Sequence, residues 1–199
     1  MQELTIITGG GGGTARAIAL KLPNCIAPDR SMLDVTDPNV VRMFMYKFKP
    51  KILINCAGYI YPSNVLDSDV SEWQKEVNVN LMGAYYCTKY ALMNGATKII
   101  NIASAAGFKG RGGWSWYSAS KAGMISLTES LVEEGVDAYC ISPHRIDTKM
   151  RNSLFPDEDR NSLLNPERVA DEIVKIVNGE YPRGTHLDIA LSGVTLIQK

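Results

Sequence analysis

Short apolar runs and helix-like stretches alternate along nearly the whole chain. Residues 4–8 form an apolar run that stops at a row of glycines, which is typical of a buried parallel strand. Residues 14–22 then carry apolar side chains at helical spacing, and Pro38 marks the first turn of another helix. Further strands are predicted at 25–27, 51–55, 98–102, 137–141 and 187–190, and further helices at 37–48, 72–93, 117–134 and 166–178.

This alternation predicts the fold class. Strands that alternate with helices form a parallel sheet through right-handed crossovers, with helices on both faces. The sequence contains no internal repeat, low-complexity tract or linker. We therefore expect one α/β domain of the doubly wound type over residues 1–199.

Composition and charge narrow the function classes. Hydrophobic residues make up 45% and charged residues 21%, as in a packed globular domain. Lys plus Arg and Asp plus Glu both number 21, so the basic excess of a nucleic-acid-binding protein is missing. No apolar run is long enough for a membrane span, and the first residues read as a strand rather than a signal peptide. We expect a cytoplasmic protein with neither a nucleic-acid nor a membrane partner.

The four cysteines are expected to be reduced. Cys25, Cys56, Cys87 and Cys140 are widely spaced and form no C-x-x-C pair, so neither a zinc site nor a redox motif is indicated. The last three lie in apolar stretches and are predicted to be small core residues. No metal site is expected.

A row of glycines from Gly9 to Gly13 joins the first strand to the first helix. Glycines permit close approach of a ligand to the backbone, and the helix that follows offers free N–H groups and the positive end of its dipole. This context predicts a pyrophosphate-binding turn for a dinucleotide.

Tyr117 and Lys121 lie four residues apart, on one face of a predicted helix. A free phenol has a pKa of about 10, too high for a base at neutral pH, and a nearby positive charge lowers it. Lys121 together with the positive ring of an oxidised nicotinamide is expected to supply that charge. Ser104, at the end of a predicted strand, carries a hydroxyl that can hold a substrate oxygen.

Taken in order, these segments closely resemble the short-chain dehydrogenase/reductase family, over essentially the whole chain. The resemblance implies a Rossmann-like fold and an NAD(P)-dependent oxidoreductase that interconverts a carbonyl and an alcohol by hydride transfer. The matching segments are Thr8–Gly13, Asn55–Gly58, Val79–Gly83, Asn101–Ser104, Tyr117–Lys121 and Ser142–Thr148.

The resemblance also implies residue roles. Tyr117 is the expected acid/base, Ser104 orients the substrate oxygen, and Lys121 tunes the phenol and holds the nicotinamide ribose. Asn80 is expected to bend its helix and to hold a water that relays protons to Lys121. The other expected cofactor contacts are Gly9, Gly13, Thr14, Asp29, Arg30, Asp34, Val35, Asn55, Ala57, Gly58, Pro143, Ile146 and Thr148.

Some features depart from the family pattern. Cys56 replaces a usual Asn, Ala15 replaces the last glycine of the turn, and His144 replaces a glycine. Ala is accepted at the helix-packing position of such a turn. Typical members are also longer, and the loss falls around the second and third strands and after Thr148, where a substrate lid normally forms. We therefore expect a shortened, open substrate region, or one completed by a partner subunit.

The choice between NAD and NADP depends on residues after the second strand. An acidic side chain there bonds the ribose 2′-hydroxyl of NAD, whereas an arginine favours the 2′-phosphate of NADP. The chain offers both, as Asp29 and Arg30. NAD is expected if Asp29 ends the strand, and NADP if the shortened loop turns Arg30 and Ser31 toward the ribose. Between these alternatives, the sequence favours NAD.

The C-terminal third resembles, more narrowly, the reductase domains joined to cytidylyltransferases in polyol-phosphate metabolism. That resemblance implies a sugar or ketose phosphate substrate, although no cytidylyltransferase domain is present. Guanidinium and ammonium groups suit a phosphate dianion. The candidate substrate contacts are Lys109, Arg111, Arg145 and Arg151.

Other functions and assemblies stay open. A non-catalytic NAD(P)-binding sensor or structural subunit is the main alternative, and a sugar-nucleotide epimerase or dehydratase is disfavoured because no large C-terminal substrate domain follows. The family usually forms homodimers or homotetramers through its long helices. Tyr85, Tyr86, Tyr90 and Met93 are either such an apolar surface or part of the core.

Overall fold

A computed structural model describes residues 3–197 and contains one seven-stranded sheet. The strand order is β2-β1-β3-β4-β5-β6-β7, and neighbouring strands are parallel except for the antiparallel pair β6–β7. This architecture confirms the predicted doubly wound α/β class. The strands are β1 Thr5–Ile7, β2 Cys25–Ile26, β3 Ile52–Asn55, β4 Lys98–Ile102, β5 Asp137–Pro143, β6 His186–Ala190 and β7 Gly193–Leu196.

Helices cover both faces of the sheet. Successive side chains of a strand point to opposite faces, so Ile6 enters one core and Ile7 the other. The helices α1 and α7 pack on the Ile7 face, and α2 and α4 pack on the Ile6 face. The helices are α1 Gly13–Lys21, α2 Pro38–Phe48, α3 Val70–Val77, α4 Gly83–Met93, α5 Ser115–Glu133, α6 Lys149–Leu154 and α7 Pro166–Val177.

Two helix starts follow directly from local sequence. The Asp37 carboxylate accepts hydrogen bonds from the N–H groups of Asn39 and Val40, at 2.8 and 3.3 Å, and Pro38 occupies the first turn. Asn165 caps α7 in the same way. A capping oxygen satisfies N–H groups that a helix leaves unpaired, and proline loses nothing at the first position.

The helical stretch predicted at 72–93 is confirmed, but it is not a regular α-helix throughout. The structure divides it into α3, a π-helical turn at Asn78–Met82, and α4. The turn carries Asn80, which is fully buried and bonds the backbone of Tyr59. Gly83 starts α4, where an added Cβ would lie 2.7 Å from Val35 Cγ2, so only glycine fits. The position where a bend was expected, Asn80, lies within the π-helical turn.

The C-terminal part also differs from the prediction. The strand expected last, at 187–190, is followed by β7, and α6 was not predicted at all. Both elements are short, and Val194, Thr195 and Leu196 of β7 are exposed, so no strong apolar period marks them. The strand β5 also runs on to Pro143, and α5 begins at Ser115.

The two alternatives for the α4 surface are both partly realised. Tyr85 and Met93 are exposed, whereas Tyr86 and Tyr90 pack against the core. Cys87 and Cys140 are buried as predicted, while Cys56 is only half-buried. Within residues 3–197, no helix has the length and apolarity that crossing a membrane requires.

Candidate active site

A cavity of about 620 Å³ lies where the carboxyl ends of β1, β3, β4 and β5 meet. From β1 the chain passes to β2 on one side and then returns to β3 on the other side. Doubly wound proteins bind ligands at such a switch point in the strand order. The cavity brings together most of the sequence-predicted site residues: Gly9, Gly13, Thr14, Arg30, Asp34, Val35, Ala57, Gly58, Ser104, Arg111, Tyr117, Lys121, Pro143, Arg145, Ile146, Thr148 and Arg151.

The glycine turn fits a phosphate-bearing ligand. Gly9 has φ +76°, and a Cβ there would meet the Ala57 Cα at 2.7 Å. A Cβ on Gly10 would lie 2.0 Å from the Ala27 carbonyl oxygen. Among the described residues no side chain caps the start of α1, and no acidic residue lies in its first turn. Backbone N–H groups and a positive dipole end therefore face the cavity, as a pyrophosphate requires.

Ser104 and Tyr117 meet at the other end of the cavity. The Ser104 hydroxyl follows β4 and accepts a hydrogen bond from Ala106 N at 3.1 Å. The same side chain lies close enough to the Tyr117 phenol to lower its pKa. Trp114 stands edge-on to the Tyr117 ring, with 5.6 Å between centroids, and so fixes its orientation. Two hydroxyl groups thus converge where a carbonyl oxygen can lie.

Lys121 is buried beneath this pair. Its Nζ donates to the Ile102 carbonyl oxygen at 2.8 Å and lies 5.8 Å from the centre of the Tyr117 ring. Burial lowers the pKa of Lys121 to about 8. The side chain is 4% exposed, so its charged form is poorly solvated.

Protein groups alone raise the pKa of Tyr117 above its ordinary value. Burial is the largest cause, and the Glu76 carboxylate acts in the same direction. The Ser104 hydroxyl and the charge of Arg151 oppose them. The downward shift expected from the sequence therefore needs a further positive charge, such as the ring of an oxidised nicotinamide.

Asn80 does not line the cavity but supports its wall. Its Oδ1 accepts from Tyr59 N, and its Nδ2 donates to Tyr59 O, both at 2.8 Å. The same Nδ2 donates to Ser120 Oγ at 3.2 Å, next to Lys121. Asn80 thereby connects the loop after β3 to the helix that carries the Tyr–Lys pair.

At the outer end of the cavity, Asp29 and Arg30 are arranged differently from each other. The Asp29 Oδ1 accepts hydrogen bonds from Ser31 Oγ and Ser31 N at 2.6 and 2.9 Å, and Asp29 does not line the cavity. Arg30 does line it, and its Nε donates to Asp34 at 3.2 Å. Arg16 also lines the cavity. Sequence reasoning missed Arg16, although its place just after the glycine turn was a usable signal.

Two other expected site residues lie elsewhere. Asn55 is buried behind the cavity, where its Nδ2 donates to Asn101 Oδ1 at 2.8 Å and to Thr88 Oγ1 at 3.0 Å. Asn55 is not among the lining residues, and its Nδ2 joins β3 to β4 and α4, so its contact with a cofactor stays a prediction. Lys109 is exposed and does not line the cavity.

Glu158 forms ion pairs with two of the expected phosphate-binding residues. Arg151 donates from Nε and Nη2 to its carboxylate at 2.6 and 2.8 Å, and Arg145 donates from Nη1 at 2.9 Å. Arg151 also stacks on Phe155, 4.1 Å from the ring centre. Sequence reasoning missed Glu158, and no local pattern marks it.

Positive charge nevertheless dominates the cavity wall. Asp34 is its only carboxylate among the described lining residues, although the chain as a whole has no net charge. A concave surface lined by one sign of charge concentrates ligands of the opposite sign. The lining cations are Arg16, Arg30, Lys75, Arg111, Lys121, Arg145, Lys149 and Arg151.

Comparison with known proteins identifies the family of this chain. A model of the short chain dehydrogenase family matches residues 32–159. An uncharacterized oxidoreductase of Staphylococcus aureus (strain MRSA252) is 28% identical, over 87% of this chain and 90% of that protein. One from Staphylococcus saprophyticus is 32% identical, over 73% and 67%. The acetoacetyl-CoA reductase of Allochromatium vinosum is 31% identical, over 69% and 63%.

Solved structures agree in fold. An ElxO variant with NADPH bound superimposes with a TM-score of 0.79 at 22% identity, over 95% of this chain and 96% of that one. ElxO with NADP bound gives a TM-score of 0.77 at 21% identity. At this identity the likeness concerns the fold. The family match, together with the site, shows that this chain belongs to the short-chain dehydrogenase family of NAD(P)-dependent oxidoreductases.

Proposed function

We propose that this protein is an NADP(H)-dependent reductase of a carbonyl group on an anionic substrate, with Tyr117 as the proton donor. The observation that carries the proposal is the presence of Ser104 and Tyr117 together in a cavity whose charged lining residues are mainly cations. The pair supplies two polar contacts for one carbonyl oxygen, and the cations supply affinity for a negatively charged ligand.

The mechanism divides the work among three side chains. When bound, the reduced nicotinamide supplies the hydride that reaches the carbonyl carbon. Ser104 holds the carbonyl oxygen by a hydrogen bond, and Tyr117 donates the proton that this oxygen takes up. Because the pKa of Tyr117 lies above its ordinary value, the phenol is fully protonated at neutral pH and ready to donate. Lys121 stands beneath the ring to bind the ribose.

Tyr117→Phe tests this role. The ring and Lys121 remain, so cofactor affinity should change little, whereas turnover should fall by roughly 10²–10⁴, as for a lost general acid. Cofactor binding is measured by fluorescence titration and turnover by nicotinamide absorbance. A Tyr117→Phe protein with near-wild-type turnover would refute the mechanism, and binding without any wild-type turnover would support a sensor.

The preference for NADP rests on Arg30 and Arg16. Arg30 lines the cavity while the Asp29 carboxylate is held by its own turn, so an arginine rather than an acid is available to the ribose phosphate. This arrangement supports the alternative that the sequence left open over NAD. The related fold of ElxO is known with NADPH bound.

A cofactor switch experiment decides the preference. A charged hydrogen bond contributes about 1.5–3 kcal/mol, so Arg30→Ala should lower kcat/KM with NADPH by roughly 10- to 100-fold and change it little with NADH. Asp29→Ala is the matched control and should leave the ratio near its wild-type value. A ratio that collapses in Asp29→Ala instead would establish NAD as the cofactor.

The substrate is proposed to carry a phosphate or another anionic group. Arg111 and Lys149 line the cavity and form no ion pair within residues 3–197, which leaves them available to an anion. A ketose phosphate carries such a group. So does a coenzyme A thioester, through the phosphates of coenzyme A, and acetoacetyl-CoA is the substrate named for the Allochromatium relative. Pairs of ketones that differ only in the anionic group test this proposal. If the neutral ketone is turned over equally well, the anion site is excluded.

The protein is also proposed to be a homo-oligomer. The exposed Tyr85 and Met93 on α4 provide an apolar surface that a second copy can cover. Light scattering at micromolar concentration tests this assembly, and a strict monomer would exclude it.

A further inference from the structure

Three side chains on one face of a single helical stretch hold the loop that forms a wall of the cavity. Glu72, Glu76 and Asn80 follow each other at intervals of four residues, so they point in the same direction. Glu72 accepts from the Tyr59 hydroxyl at 2.5 Å, Glu76 Oε1 accepts from Tyr61 N at 2.7 Å, and Asn80 bonds both backbone groups of Tyr59. Tyr59 and Ile60 line the cavity.

Glu76 differs from its two neighbours. It is 2% exposed and is the buried residue of α3, a position where a helix normally carries an apolar side chain. Within residues 3–197 it forms no ion pair, whereas the Glu72 charge is balanced by Lys75 at 3.3 Å. A buried carboxylate without a cationic partner is costly, and its field is weakly screened.

The helix that carries Glu76 is fixed against the helix that carries Tyr117. The Trp73 and Trp116 rings stack with centroids 3.9 Å apart and join α3 to α5 one residue before Tyr117. Glu76 from α3 raises the pKa of the phenol and Arg151 from α6 lowers it, and the Lys121 Nζ of α5 lies 5.8 Å from the ring centre. Glu158 holds Arg151 in a bidentate pair, which leaves the negative charge of Glu76 less compensated.

We propose that Glu76 is a positioning residue with two effects: it holds the Tyr59–Tyr61 loop in place, and its charge keeps Tyr117 in the neutral phenol form that donates a proton. The second effect raises the pH at which alcohol oxidation sets in, because that direction needs the phenolate. This inference rests on the proposed role of Tyr117. Burial raises the pKa of Glu76, and Glu72, one turn away, adds to that rise.

The test is the pH profile of alcohol oxidation with the intact enzyme. Glu76→Gln removes the charge but keeps an acceptor for Tyr61 N. A like charge removed at an effective dielectric of about 20 should shift the inflection of the oxidation rate down by roughly half to one pH unit. Oxidation at a fixed pH below the inflection should therefore rise roughly 3- to 10-fold. Glu72→Gln, the same change one turn away, should leave the inflection in place.

A second variant keeps the test decisive if Glu76→Gln folds poorly. Glu76→Met keeps the volume and helix propensity, and replacing a buried charge by an apolar group is often tolerated. It should move the inflection down as well. An unmoved or upward inflection in the folded variants overturns the role of Glu76. Tyr117→Phe with full turnover overturns the acid role of Tyr117 instead, so the two failures are distinguishable.

Discussion

The buried ammonium of Lys121 should cost this protein stability, and Lys121→Met tests that. The pKa of the group falls from the ordinary 10.5 to about 8, because burial disfavours the charged form. That drop corresponds to about 3 kcal/mol of unfavourable free energy below pH 8. Methionine fills a similar volume without the charge. Its gain is reduced by about 1–3 kcal/mol, because the Ile102 carbonyl oxygen loses its hydrogen bond.

The pH dependence of the unfolding free energy separates the effect of the charge from effects that do not change with pH. Between the native pKa of about 8 and the unfolded value of 10.5, the unfolded chain binds more protons than the native protein. Wild-type stability therefore rises with pH in this window relative to Lys121→Met. The unfolding free energy of the wild type, taken relative to that of Lys121→Met, should rise by about 2 kcal/mol from about pH 7 to about pH 10. Changes in packing caused by the methionine are the same at both pH values and cancel.

Urea denaturation of both proteins at the two pH values gives this difference. Lys89→Met, which removes an exposed lysine on α4, is the control. Its unfolding free energy relative to the wild type should be the same at both pH values. Turnover of Lys121→Met should fall even where its stability rises, because the proposed contact with the ribose is lost. A constant free-energy difference across the pH range would show that Lys121 is solvated in the native protein, and the burial argument would fail.

Two further predictions concern packing and charge at the cavity rim. Gly10→Ala should destabilise the protein by roughly 1–3 kcal/mol, because its Cβ would lie 2.0 Å from the Ala27 carbonyl oxygen, whereas Gly11→Ala, whose nearest contact is 3.9 Å away, should be tolerated in thermal denaturation. Equal melting temperatures would contradict this. Glu158→Gln should lower KM for an anionic ketone several-fold by releasing Arg145 and Arg151, and leave KM for a neutral ketone unchanged; an equal fall for both would point to a loosened loop instead.

Local patterns carried most of the fold prediction. The glycine turn, the Asp37 cap and the four-residue spacing of Tyr117 and Lys121 are properties of neighbouring residues, so sequence alone located them. The π-helical turn at Asn78–Met82 has no such local pattern, and only the family resemblance indicated an irregularity at Asn80. It depends on Asn80 bonding Tyr59, which is distant in sequence and reaches it only when α3 packs beside the loop.

The site was harder to predict where one side chain had competing partners. Asp29 was expected at the ribose, but Ser31 and Met32 take its carboxylate. Arg151 was expected at a phosphate, but in the structure it is paired with Glu158. A composition or motif records which groups exist and not which of them pair. The chemistry of the site was therefore readable from sequence, whereas its charge balance was not.

That charge balance sets the pH at which Tyr117 ionises, and it can be tested without turnover. Glu76 raises the pKa of Tyr117 and Arg151 lowers it. Arg151→Gln should therefore raise the pH at which the Tyr117 phenolate absorbs, and Glu76→Gln should lower it. The two groups approach the ring from different helices and do not bind each other, so the double variant should titrate near the wild type. Phenolate absorbance, taken as the difference from a Tyr117→Phe background, reports this titration alone. If both single variants shift it the same way, packing rather than charge controls the phenol.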